Sequence, residues 1–343
     1  MNDSIAVFFT GGTIGSALAA EGEASPDAFR SRDLQELVER FFADLSLNVT
    51  LHFPWGERGL DSSSFHPGHW VALTRQVVGA LEGGARGILI LHGTDTMAYS
   101  SAWMSLALGE IDCPVVFTGS QLTLDSIPDD VAVNLRGAAA VTASRLAGVW
   151  IYFNWKLFQG RRVHKARALH PDAFVAVGDV PFFFTPEQAG RLGPSRPRSG
   201  CLFAPELKVI LGLSEDQAWS RRKEVAWITA APGLMPRFSG EEKVVVVLGQ
   251  GAGNASVPFM EEIVSFWEGR RKPLLLACSL AEGDEKRPEA YKDVGLAWLS
   301  RRGFGLWSQG DYPLEFIHGL AWFALLGNSA DPGSVLSRYL RRL

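Results

Sequence analysis

The sequence predicts an α/β fold: a larger N-terminal doubly wound domain on a mainly parallel sheet, a linker, and a smaller C-terminal α/β domain. Three observations carry this. Short apolar runs alternate with helical patterns almost throughout, and runs that are apolar at every position suit strands buried on both faces. The rhythm breaks between about 185 and 205, where Pro186, Gly190, Gly193, Pro194, Pro197, Gly200 and Pro205 fall among Ser and Arg, and then resumes. The 343 residues, 47% of them apolar, exceed one average domain and suffice for two cores. The expected division is a catalytic domain over 1–185, a linker over 186–205 and a second domain over 206–343.

The elements follow in order. Ile5 to Phe9 reads as a buried strand. Leu34, Leu37, Val38, Phe41 and Phe42 recur at helical spacing, and so do Trp70, Val71, Val77, Val78 and Leu81. A strand is expected over 87–91, a helix over 97–108, a strand over 114–117, a helix over roughly 129–144 and a strand over 149–153. This βαβα order implies right-handed crossovers. Beyond the linker, strands are expected at 207–211, 225–229, 243–248, 273–278 and near 304–307. Helices are expected at 214–223, 257–268, 288–302 and 313–326. The aromatic C-terminal stretch with Trp307, Phe316, Trp322 and Phe323 reads as core.

Composition excludes several classes. The net charge is −4, without the concentrated basic face that nucleic acid requires. Arg338, Arg341 and Arg342 suit the end of a solvated helix instead. Cys113, Cys201 and Cys278 are few, odd in number and far apart, so neither a disulfide framework nor a metal knuckle is expected. Reduced thiols suit a cytoplasmic protein. No apolar run has the roughly 18 to 20 residues of a membrane span. Asn2 and Asp3 supply no basic n-region and a Gly-rich motif starts at residue 10, so no secretory leader is expected.

Ligands of open α/β sheets sit outside the carboxyl ends of the strands. Three polar segments fall there: Thr10-Gly11-Gly12-Thr13-Ile14-Gly15, His92-Gly93-Thr94-Asp95-Thr96, and Thr118-Gly119-Ser120-Gln121. Glycines let backbone amides approach a ligand closely. A threonine in such a turn offers a nucleophilic hydroxyl beside N–H groups that can hold an oxyanion. Each segment alone reads first as a strand-to-helix turn, and Asp95 and Thr96 are placed to cap the helix at Met97. Three segments on one edge favour a site.

The first two motifs, some 80 residues apart, resemble the signatures of the bacterial asparaginase family, the threonine-dependent amidohydrolases. Phe117-Thr-Gly-Ser-Gln121 and the helix with Asp130, Asn134 and Leu135 fit as well, and the C-terminal half matches loosely. The early first motif is more similar to the cytoplasmic type. The resemblance implies that Thr13 is acylated by the substrate, and that Thr94, Asp95 and Lys165 form a hydrogen-bonded group. Lys156 lies nearby, and the Gly160–Arg161 spacing selects Lys165. It further implies that Ser62 holds the substrate α-carboxylate, with Ser63 where periplasmic forms place a glutamine, and that Gly12, Gly93 and Asp95 complete the binding set. The implied reaction is hydrolysis of L-asparagine to L-aspartate and ammonia, without cofactor or metal. The implied assembly is a homodimer or homotetramer with sites near the subunit interface, bound to neither nucleic acid nor membrane.

The chemistry makes sense without the name. A zwitterionic substrate needs a carboxylate for its ammonium, which Asp95 supplies, and donors for its carboxylate, which Ser62 supplies. A lysine beside an aspartate and two threonines acts as a base once desolvation removes its proton.

Departures are equally specific. The family carries a tyrosine on a loop shortly after the first motif, whereas segment 16–32 has none; Tyr99, Tyr152, Tyr291, Tyr312 and Tyr339 all lie elsewhere. That segment still reads as a lid, with Glu21, Glu23 and Asp27 as its carboxylates. Gly249-Gln-Gly-Ala-Gly253-Asn254 lacks the third glycine of a dinucleotide loop, and the resemblance suggests a turn reaching a neighbouring subunit's site. His66 and His69 are spaced like a ligand pair, but Pro67-Gly68 between them opposes that reading, and His92 reads as a polar core residue. Three functions remain open: an asparaginase; an amidohydrolase of L-glutamine or a D-amino-acid amide, including the amidase half of a transamidation complex, which normally brings an extra N-terminal domain; and a non-catalytic amino-acid binder.

Overall fold

A computed structural model describes residues 4–18, 24–26, 28–185, 188, 201–281 and 284–343. Glu21, Glu23, Asp27 and most of the expected linker lie outside the described residues. Seven strands form the larger sheet or its edge: β1 (Ser4–Phe9), β2 (Asn48–His52), β3 (Gly87–Leu91), β4 (Pro114–Thr118), β5 (Gly148–Phe153), β6 (Lys156–Gln159) and, past a two-stranded ribbon of β7 (Val163–Lys165) and β8 (Phe174–Ala176), β9 (Phe182–Phe183). The spatial order is β2-β1-β3-β4-β5-β6-β9. The first five are parallel, and β6 and β9 add an antiparallel edge. The smaller sheet has four parallel strands in sequence order, β10 (Val225–Thr229), β11 (Val244–Gly249), β12 (Leu274–Ser279) and β13 (Leu306–Ser308).

Burial explains the strands. The apolar residues of β1 are all buried, as is every residue of β3, β4 and β11. β2 is half exposed at the edge, which left no apolar run to read. Helices α1 (Ala28–Asp44), α2 (Pro67–Glu82), α3 (Met97–Leu108) and α4 (Val131–Thr142) cover the larger sheet; α5 (Val257–Phe266), α6 (Leu314–Gly327) and α7 (Pro332–Tyr339) follow. His66 and His69 cap α2 between them: the His66 ring accepts from Gly68 N–H at 3.1 Å and the His69 ring from His66 N–H at 3.3 Å. Thr96, expected to cap α3, does not do so with its side chain; its hydroxyl donates to Ser62 O at 2.7 Å instead.

Two other expectations change. The run 207–211 is a short helix, not a strand: Leu207 and Ile210 are buried one turn apart and Lys208 and Val209 face out. A five-residue, mostly apolar run does not reveal its period. The helix expected over 288–302 is confined to a 3₁₀ stretch over Leu296–Arg302, because Gly295 packs on the Pro288 and Tyr291 carbonyls.

One core cluster crosses between the sheets. It joins Phe8, Ile90 and Phe117 below α2 and α3 to Val246, Leu276 and Trp307 below α6. Gly319 of α6 lies so close to α3 that a Cβ there would stand 3.4 Å from Trp103 N. Phe316, Trp322 and Phe323 are buried in this cluster.

Candidate active site

β1 connects to β2 on one side, and the chain then crosses to β3 on the other. The order reverses between β1 and β3, which opens a crevice at their carboxyl ends. The two signature segments leave the sheet there. Gly12 has φ of 98°, a conformation that favours glycine, and a Cβ on it would stand 2.4 Å from Gly93 Cα. The backbones of the two segments therefore touch, and Thr13 and Thr94 each follow by one residue. Thr10 anchors the first, with N–H and Oγ1 both donating to Leu91 O, at 3.0 and 2.8 Å. Thr13 opens a 3₁₀ turn to Gly15 and is half-buried.

Ser62 comes from the loop before α2. Asp61 caps its 3₁₀ turn by accepting from Ser63 N–H and Oγ, at 2.8 and 2.7 Å. Ser62 is buried with Oγ against Gly93, where a Cβ would approach it to 2.4 Å; Ser63 is exposed. Gly93 is thus hemmed in by Gly12 and Ser62.

Lys165 ends β7. Its Nζ donates to Thr94 Oγ1 at 2.9 Å and to Asp95 Oδ1 at 2.6 Å. The Lys165 side chain is 13% exposed but that of Asp95 is 64% exposed, so the carboxylate keeps a face open to the crevice. Lys156 is engaged elsewhere, 2.6 Å from Asp172 Oδ1. The strand carrying Lys165 is held from the C-terminal half: Arg162 pairs with Asp311 at 2.8 Å and His164 Nδ1 meets Glu315 Oε1 at 2.8 Å.

Sequence reasoning assigned no role to Gln121. Thr94 Oγ1 donates to Gln121 Oε1 at 3.0 Å, and Gln121 Nε2 donates to Ala168 O and His170 O, at 3.2 and 3.4 Å. Asp130 fixes this turn by accepting from Gln121 and Leu122 N–H, each at 3.0 Å, and from Asn134 Nδ2 at 3.1 Å. Burial raises the Asp130 pKa in spite of these donors. The position of the third polar segment at a strand end was the available signal for Gln121. His92 is fully buried behind the site, between the rings of Phe65 and Phe117. Its Nδ1 is 2.8 Å from Gly93 O, which can only accept, so Nδ1 carries the proton. Burial pushes its pKa down to about 4, and that hydrogen bond opposes the shift. His92 is a neutral prop for the Gly93 carbonyl.

Fold and site define a class: paired parallel α/β sheets, with two threonine-bearing glycine turns meeting at the switch point of the larger. The family model described as "Asparaginase, N-terminal" matches residues 4–188. The chain belongs to the asparaginase family. L-asparaginase of Thermococcus kodakarensis is 30% identical over 287 residues, 81% of this chain and 80% of that protein. L-asparaginase 1 of Escherichia coli is 34% identical over 176 residues, 50% of each chain. A glutamyl-tRNA(Gln) amidotransferase protein of Pyrococcus abyssi is 31% identical over 184 residues; the match spans 52% of this chain but only 41% of that protein. The solved thermostable L-asparaginase of T. kodakarensis superposes with a TM-score of 0.75 at 25% identity, covering 97% of this chain and 96% of that one.

Proposed function

We propose that this chain hydrolyses L-asparagine to L-aspartate and ammonia through an acyl-threonine at Thr13. The observation that carries the reading is the Lys165–Thr94–Asp95 cluster, set beside the Thr13 turn by the Gly12–Gly93 contact. The open face of Asp95 takes the substrate ammonium, and Ser62, with Ser63 and adjoining N–H groups, takes its α-carboxylate. Thr13 Oγ attacks the side-chain amide carbon as its proton passes to the Thr94–Lys165 group. The C–N bond breaks, the proton goes to the departing nitrogen, and ammonia leaves. Water then attacks the ester, gives its proton to the same group, and Thr13 is released with its hydroxyl restored. Gln121 fixes the position of the Thr94 hydroxyl beside Lys165. A cytoplasmic homo-oligomer acting on a free amino acid completes the reading. None of the three cysteines forms a disulfide, which suits a reducing compartment.

The test is ammonia release from L-asparagine, L-glutamine and D-asparagine, with calorimetric binding of L-aspartate. L-asparagine is expected to turn over fastest. Thr13→Ala is expected to lower kcat by about 10³-fold or more while L-aspartate still binds. Full turnover in Thr13→Ala would reject the nucleophile; a faster second amide would reassign the substrate; L-aspartate binding without any turnover would make the chain a binder.

A further inference from the structure

A cavity of about 730 Å³ opens beside the Ser62–Ser64 turn, where α2 and α3 meet the C-terminal half. Of the residues given a role in the reaction, only Ser63 lines it. Its walls are indoles and imidazoles. Trp70 Nε1 donates to Ser100 Oγ at 3.0 Å and Trp227 Nε1 to His318 Nδ1 at 2.9 Å. Those N–H groups are spent inside the wall, so these two indoles offer a ligand apolar ring surface rather than donors. Tyr99 stands edge-on to His318 at 5.4 Å. Burial pushes His318 down to about 4 and also lowers His66, so both imidazoles are neutral at pH 7.

The mouth differs from the walls. The His66 and Trp219 rings stack 4.5 Å apart, and the Arg222 guanidinium lies 5.4 Å from the Trp219 ring centre. Arg222 is exposed, has no ion-pair partner among the described residues, and is the one charged residue among them that lines the cavity. No described carboxylate lines it; Glu215 and Asp216 act on His66 from outside the lining, and burial outweighs them. An aromatic cage for a cation would need the opposite balance. An aromatic-rich lining with a guanidinium at its entrance suits a flat ring bearing an anionic group. Its volume lies within the range of small-molecule sites, and such sites favour contacts between domains.

We propose that this cavity binds a planar aromatic carboxylate, ring between the indoles and carboxylate on Arg222. The assignment does not rest on the amidase reading, because binding is measured without turnover. The probe is indole-3-acetate, titrated calorimetrically into the full chain, with tryptamine as the same ring of opposite charge. One indole-3-acetate per chain is expected, unaffected by saturating L-aspartate. About tenfold weaker binding is expected for tryptamine and for Arg222→Gln. Trp219→Ala is a second variant at an exposed position and should weaken both probes. No saturable binding at millimolar probe, equal affinity for tryptamine, displacement by L-aspartate, or unchanged binding in both variants would each overturn the proposal.

Discussion

The turn after β1 and the turn after β11 start alike, each a glycine-rich exit from an interior parallel strand. They end differently. Gly12 presses on Gly93 of another strand's exit, and three chain segments converge there. Gln250 and Asn254, by contrast, exchange backbone hydrogen bonds at 2.8 Å, and the second turn is filled by the 288–296 stretch, with Leu296 N–H donating to Gly253 O at 2.9 Å. Topology explains the contrast. The larger sheet reverses its strand order between β1 and β3, so successive connections diverge and leave a crevice. The smaller sheet keeps sequence order and has no reversal. A glycine turn becomes a site where the sheet opens beside it.

The largest effect tests the chemistry that the first turn gains from its neighbours. Lys165→Met is expected to lower kcat about 10³-fold with the fold intact by circular dichroism. A loss under tenfold would detach Lys165 from the reaction. Next comes acid. His92 behind the first turn and His318 between the two halves have pKa values lowered below the free value, so the fold prefers them neutral. Their contribution is fully present above pH about 6.5 and falls as pH drops toward about 4. Each costs up to about 1.4 kcal/mol per pH unit over that window, so unfolding free energy should fall by about 4 kcal/mol from pH 7 to pH 5. Urea titrations across that range measure it, and His318→Phe should remove about half the slope.

The glycines compare the turns directly. Gly12→Ala should destabilise by about 2–4 kcal/mol and abolish turnover, since its Cβ would meet backbone at 2.4 Å. Gly253→Ala, also at positive φ but facing Pro288 at 3.1 Å, should cost about 1–2 kcal/mol by urea midpoint. Equal costs would mean that the first turn yields as easily as the second. The smallest effect is Lys156→Met, about 1 kcal/mol or less, with kcat within a few fold of the parent. Its hydrogen bond to Asp172 lowers that carboxyl's pKa, so the stabilisation is present above about pH 4 and is lost as pH falls through the lowered value. The stability difference between parent and variant should vanish in acid.

The buried strands are legible because they are apolar at every position; Gly87–Leu91 coincides with its expected range. β2 is not, since its half-exposed edge position leaves mixed polarity. The 207–211 helix is not legible, because five residues do not complete two turns. Among site residues, the structure joins Lys165 to Thr94 and Asp95 and sets Gly12, Gly93 and Ser62 in contact. Gln121 stood in view without a role because its partner is set by side-chain packing, which spacing does not encode. The aromatic cavity was illegible for the same reason: Trp70, Arg222 and His318 are distant in sequence and meet only in the fold.

The shared core gives this architecture an indivisible character. The family match ends at residue 188, which looks like a natural place to divide the gene. Yet α3 is buried against α6, and the lysine-bearing strand is clamped by Asp311 and Glu315. A half-chain cut there would expose the outer side of α3 and release the clamp, so it would come out sticky and with its lysine adrift. Shuffling the two halves among relatives would demand matched surfaces on both pieces. What looks like a reusable module is one member of an inseparable pair.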